Sequence, residues 1–211
     1  MIDRATGALL LEFLGVMRRL RAECAWKGSQ THRTLVRYLL EETHETVDAI
    51  ESGDADHLRE ELGDLLLQVW FHAVIAEEAG DFALDDVVTG IVDKLRRRNP
   101  HVFGDAQAGD PAAVTEVWES IKATEKPRRS VTDGLPASLP ALLYADKVLD
   151  RLARAGTPVT PDPGGDLGER LLALVVEAHA VGVDPEQALR TAVLRVLPAP
   201  ASDPSGPGGS G

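Results

Sequence analysis

The sequence predicts an all-α protein. Three observations carry that reading. Apolar residues recur every three or four positions along nearly the whole chain, the period of a helix with one buried face. Strand signals are weak, because aromatic residues make up only 4% of the chain and no stretch alternates polar and apolar for long. The helical stretches are separated by Gly- and Pro-containing breaks, which punctuate rather than continue a helix.

Taken in order, Leu10, Phe13, Leu14, Met17 and Leu20 mark a first helix. Leu35, Val36, Leu39, Val47 and Ile50 mark a second between Thr34 and Ile50, ended by the Gly-Asp of ESGDADH. A third runs from about Asp56 to Glu78. AGDFALDD breaks it, and Asp85 or Asp86 begins a fourth that stops at Asn99-Pro100, since a residue before proline disfavours the α region. Ala112 to Glu125 and Leu139 to Ala155 are further helices. Asp166 to Leu197 holds one or two more, with Val183-Asp184-Pro185 as a turn. The domain reading is a helical unit over 1–126, a Pro-rich linker over 127–138, a C-terminal helical unit over 139–197 and a disordered tail over 198–211.

The formal net charge of −12 argues against a general nucleic-acid surface, which needs a basic footprint. It leaves room for a phosphorylated ligand bridged by cations. A single cysteine, Cys24, excludes an intrachain disulfide. No stretch reaches the roughly 18 apolar residues of a membrane span, and the N-terminal apolar run, broken by Glu12, lacks a cleavage site. The expectation is a cytoplasmic protein with no membrane and no nucleic-acid partner.

Residues 41–64, EETHETVDAIESGDADHLREELGD, hold ten acids and a single base. On a helical wheel the apolar face of the second helix centres near Ile50 and Thr43. Glu42 lies at its edge, and Glu45 lies further round that flank. The third helix is apolar round nearly its whole circumference, which predicts burial on all sides. Yet Glu61, Asp64, Gln68 and His72 share one stripe of it. Carboxylates are rarely buried unless paired or metal-bound, and Arg59 is the only base in sequence range. Two i, i+3 pairs facing each other make four oxygen donors, a set suited to Mg²⁺ or Mn²⁺ rather than zinc. A solvated acidic face is the plainer alternative for either pair alone. A di-iron bundle would want Glu-x-x-His on two helices, and this chain has Glu-x-x-Asp. His72 reads as a hydrogen-bonded core histidine.

A weak internal repeat is also present. EELGDLLLQVWFHAVIAEEAGD resembles GDLGERLLALVVEAHAVGVD, with Glu61 and Asp64 matched by Asp166 and Glu169. The second copy lacks a counterpart of EETHE, so it predicts no second acid site.

EETHE followed by ELGD resembles the EE-x-x-E…E-x-x-D signature of the MazG family of nucleoside triphosphate pyrophosphohydrolases. ECAWKGSQTHRTLVRYLLEET, DKLRRRNPHVFGD, VWESIKATEK and DGLPASLPALLYADKV resemble the family's other segments in order, covering about residues 8 to 150. The resemblance implies the helical bundle of the all-α NTP pyrophosphatase superfamily, completed by dimerisation. It implies hydrolysis of NTP to NMP and pyrophosphate by attack at the α-phosphorus. Glu42, Glu45, Glu61 and Asp64 would hold Mg²⁺, with Mn²⁺ as a substitute. Glu41 or Glu45 would orient the water, and Lys94, Arg97, Arg98 and Trp118 would meet the nucleotide. By themselves, the arginines read as a solvated helix end and Trp118 equally as core or ligand. Lys27 and Ala25 stand where the family has Asp and Pro. A catalytically weak or inactive nucleotide-binding, regulatory module is the alternative function.

Overall fold

The computed structural model describes residues 4–104, 109–125 and 130–197. The described residues form ten helices and no strand: α1 Arg4–Glu23, α2 Ala25–Gly28, α3 His32–Ser52, α4 Ala55–Ala79, α5 Leu84–Arg98, α6 Pro100–Phe103, α7 Pro111–Glu125, α8 Ala141–Arg154, α9 Leu167–Ala180 and α10 Pro185–Val196. The chain divides into two compact units, Met1–Lys122 and Ala123–Gly211. The tail expected over 198–211 and the start of the linker expected over 127–138 lie outside the described residues. Among the described residues, no helix is long and apolar enough to cross a membrane.

Local chemistry sets the helix ends. Thr31 caps α3, its hydroxyl accepting from the Thr34 amide while the Thr34 hydroxyl accepts from the Thr31 amide. Asp54 caps α4 by accepting from the Asp56 and His57 amides. Gly53 closes α3 at φ 71°, a left-handed conformation in which a Cβ would be strained. Asn99-Pro100 ends α5 as its residues predict. Pro100 then opens α6 at once, because its fixed φ suits the first helical position and the missing N–H is not needed there.

In the first unit α3 and α4 form an antiparallel hairpin, and α1 packs on α4. Met17, Leu35, Phe71 and Val74 are its most deeply buried large side chains. Trp70 stacks on Phe13 with ring centroids 5.8 Å apart. Two arginines of α1 tie the far end of α4. Arg18 bonds Glu77 at 2.6 Å, and this pairing raises the Arg18 pKa and lowers that of Glu77. The buried Arg21 bonds Glu78 at 2.5 Å and also donates to the carbonyls of Lys27 and Gln30, holding the α2 turn.

Two expectations about burial need correction. The buried face of α3 is Leu35, Thr46 and Ala49, whereas Ile50 is 59% exposed and Thr43 is exposed. The strongest apolar stripe of α3 is therefore not the one that packs within the chain. α4 is also not buried all round, since Leu62 and Val69 are 50% and 41% exposed. Leu35 of α3 and Trp70, Phe71, Val74 and Ile75 of α4 are buried, while a second apolar set, Val36, Leu40 and Ile50 of α3 with Leu62 and Val69 of α4, is exposed.

Candidate metal and nucleotide site

The hairpin places Glu42 and Glu45 of α3 opposite Glu61 of α4. Among the described residues these three each offer a carboxylate oxygen, all lying within 4.8 Å of one another. Thr46 sits between the two helices: its hydroxyl donates to the Glu42 carbonyl at 2.7 Å and lies 3.5 Å from the Glu61 carbonyl. Glu61 also meets His57 Nε2 at 3.2 Å, one turn earlier on α4.

Glu42 is the centre of the group. Its pKa is raised, first by burial and then by the charges of Asp64, Glu45 and Glu61, while a hydrogen bond from Gln68 pulls the other way. Gln68 is 4% exposed and donates from Nε2 to Glu42 at 3.4 Å. Its Oε1 is buried with no hydrogen-bond partner among the described residues. The three crowded carboxylates form an all-oxygen donor set that fits a hard divalent cation.

The structure brings three of the four expected metal acids into one group. Asp64 stands outside it but is half-buried, and it exerts the largest charge effect on Glu42. Glu41 points elsewhere: it is exposed and 3.3 Å from Arg37. His72 is half-buried, and its Nδ1 lies 2.7 Å from Nδ1 of His32. The two rings are nearly parallel, with centroids 5.0 Å apart. That is about as far as the centroids can lie with the nitrogens so close, so the rings meet edge to edge in an N–H···N bond. Burial, then the neighbouring His32, lowers the His72 pKa.

The cations of the expected nucleotide contacts sort differently. Lys94 and Arg97 are exposed on α5. Arg98, the last residue of α5, is 8% exposed, with its guanidinium 4.9 Å from the centre of the Trp118 ring. Lys122 lies 4.7 Å from the same centre and 2.9 Å from Glu119. Trp118 is thus a platform for cations, a role between the two expected of it. Lys122, which was not among the expected contacts, shares the Trp118 ring at i, i+4 spacing. Lys27, which departs from the family pattern, has its ammonium near the rings of Trp26 and Phe71, at 5.4 and 5.3 Å.

Fold and site together define an all-α protein in which a helical hairpin gathers three carboxylates. Residues 30–103 match the model of the MazG nucleotide pyrophosphohydrolase domain. An uncharacterized 26.1 kDa protein of Streptomyces cacaoi is 52% identical over 190 residues, 88% of this chain and 78% of that protein. The nucleoside triphosphate pyrophosphohydrolase of Mycobacterium tuberculosis is 44% identical over 197 residues, 91% of this chain and 57% of that one. The nucleoside triphosphate pyrophosphohydrolase/pyrophosphatase MazG of Thermotoga maritima is 36% identical over 221 residues, 92% of this chain and 85% of that protein. The chain belongs to the MazG family. It spans little more than half the length of the mycobacterial relative.

Proposed function

We propose that the chain is a Mg²⁺-dependent nucleoside triphosphate pyrophosphohydrolase, converting NTP and water to NMP and pyrophosphate by attack at the α-phosphorus. The observation that carries this reading is the three-carboxylate group of Glu42, Glu45 and Glu61 across the α3–α4 hairpin. The relatives named for this activity support it.

Glu42, Glu45 and Glu61 would hold the cation, and Asp64 would complete the set. A divalent ion held by these residues would supply Lewis acidity toward a water and positive charge beside the phosphate oxygens. Manganese can take the place of Mg²⁺, having the same preference for oxygen donors. Glu45 or Glu41 accepts a hydrogen bond from the attacking water and orients it; Glu45 is the better placed, being in the acid group. Lys94, Arg97 and Arg98 hold the triphosphate, Arg98 from a position braced on Trp118.

The functional unit is a homodimer. Val36, Leu40 and Ile50 of α3 and Leu62 and Val69 of α4 are all at least 41% exposed. At 100° per residue, both stripes turn to the same side of the antiparallel hairpin. A second copy laid on that side would bury them in a four-helix arrangement.

Purified protein incubated with Mg²⁺ and a panel of NTPs should release pyrophosphate and NMP, and Glu42→Gln should abolish release. Orthophosphate as the first product would overturn the proposed bond cleavage. Nucleotide binding without turnover under any divalent ion would leave the regulatory alternative standing.

A further inference from the structure

We propose, resting on the reading of the acid group as a metal site, that His57 is a positioning residue for it. His57 holds the Glu61 carboxylate so that Glu42, Glu45 and Glu61 can close on one divalent ion. It lies outside the EE-x-x-E…E-x-x-D pattern. On α4 it falls on the stripe of Glu61, Asp64, Gln68 and His72, all five within an arc of about 80° at 100° per residue. One turn before Glu61, its Nε2 lies 3.2 Å from Glu61 Oε1. A carboxylate oxygen only accepts, so Nε2 carries the proton and donates it. His57 is not itself in the three-acid group, so it acts on the ion through Glu61.

Repulsion makes such a hold necessary. Glu42, Glu45 and Glu61 each present an oxygen within 4.8 Å of the others. Like charges that close drive carboxylates apart, toward water or toward a base. Glu41 has taken the second course, lying 3.3 Å from Arg37. Glu61 has not, although Arg59 is two residues away. Arg59 pairs with Asp56 at 2.6 Å, and both side chains are at least 76% exposed. Glu61 is 12% exposed and meets His57 instead. The choice of partner matters to a cation. An arginine on Glu61 would cancel charge that a metal needs, whereas an imidazole N–H orients one oxygen and leaves the remaining lone pairs for the ion. The Gln68 amide does the same for Glu42, at 3.4 Å. His57 and Gln68 thus each donate from α4 to one acid of the group, one acid on each helix.

The test is Mg²⁺ titration of the full chain, read by calorimetry and by melting temperature with no nucleotide present. His57→Phe keeps a ring and removes the donor. It should weaken Mg²⁺ binding about tenfold, the lower end of the usual cost of losing a group that orients a metal ligand. His57→Gln keeps an N–H at i, i+4 spacing from Glu61 and should bind within about twofold of the wild type. The Mg²⁺ concentration giving half-maximal pyrophosphate release should rise with His57→Phe by the same factor, and excess Mg²⁺ should restore the rate. Whatever Mg²⁺ affinity a Glu61→Gln background retains, His57→Phe should not lower it further. His57 is 43% exposed, so the variants should fold, and circular dichroism checks that they do. Mg²⁺ affinity unchanged in His57→Phe, or reduced equally in His57→Gln, would overturn the proposal. So would a further loss in the Glu61→Gln background. A wild type that binds no Mg²⁺ would instead overturn the reading of the acid group, and the role of His57 with it.

Discussion

The chain uses one tetrapeptide pattern twice, to different ends. In the first unit Glu61-Leu62-Gly63-Asp64 lies inside α4, two turns beyond its Asp54 cap, and Glu61 looks across at Glu42 and Glu45. In the second unit Asp166-Leu167-Gly168-Glu169 lies at the start of α9. There Asp166 is the cap itself, accepting from the Glu169 amide, and Glu169 accepts from the Asp162 amide. The apolar register is retained, since buried Trp70 corresponds to buried Val175. The polar register is not: Gln68, which contacts Glu42, corresponds to Ala173. A burial pattern therefore outlasts a site, because it needs only apolar residues on one face. A site needs a partner helix with its own acids.

The comparison can be broken or sharpened at matched positions. The largest effect belongs to the shared core. Trp70→Ala should destabilise the first unit by about 3–5 kcal/mol, and Val175→Ala the second by about 2 kcal/mol. Urea unfolding, followed for each unit by a probe within it, measures both. Similar losses would erase the difference in core size between the two copies.

Next come the acids. Glu61→Gln should reduce pyrophosphate release on the order of a hundredfold, about 2.7 kcal/mol of barrier, whereas Glu169→Gln should leave it unchanged. If the second variant were equally damaged, DLGE would be a second site after all. Mg²⁺ should raise the melting temperature of the wild type and of Glu169→Gln, but far less that of Glu61→Gln.

Capping gives a smaller contrast. Asp166→Ala should cost about 1 kcal/mol, the usual loss of an N-cap. Asp64→Ala should instead stabilise the metal-free protein by relieving the crowding on Glu42. A melting series without divalent ions separates the two signs.

The smallest effect is a pH slope. The Glu42 pKa is raised by burial and by its acidic neighbours, so the folded state holds that proton at pH values where the unfolded state has released it. The metal-free protein should lose stability as pH rises from the ordinary carboxylate value through the raised one, and Glu42→Gln should flatten that loss. Mg²⁺ affinity should move the opposite way, strengthening with pH as Glu42 ionises.

Much of the fold was legible because its signals are local. From α3 onward helix limits fell within about two residues of those expected, apart from the short α6, since caps such as Thr31 and Asp54 and breaks such as Gly53 act within one turn; α1 begins at Arg4, six residues before the first residue that marked it. The spacing of Glu42, Glu45 and Glu61 was legible for the same reason. Other features were not. Ile50 belongs to the stronger apolar stripe, so a wheel turns it inward, but the hairpin packs through Leu35, Thr46 and Ala49. Arg98 reads as one of three solvated arginines until α7 brings Trp118 beneath it. The pairing of His32 with His72 joins residues forty positions apart and leaves no local trace.

The sequence by itself determined an all-α chain, most of the places where its helices start and stop, and a pair of acid spacings that could serve a cation. Helix periodicity, capping and i, i+3 spacing are properties of a few neighbouring residues. Only the tertiary structure decided which acids meet. It grouped Glu42, Glu45 and Glu61, set Asp64 beside them as a charge on Glu42, and left Glu41 with Arg37. That choice follows from the register of two antiparallel helices, which pack with Leu35, Thr46 and Ala49 of α3 buried.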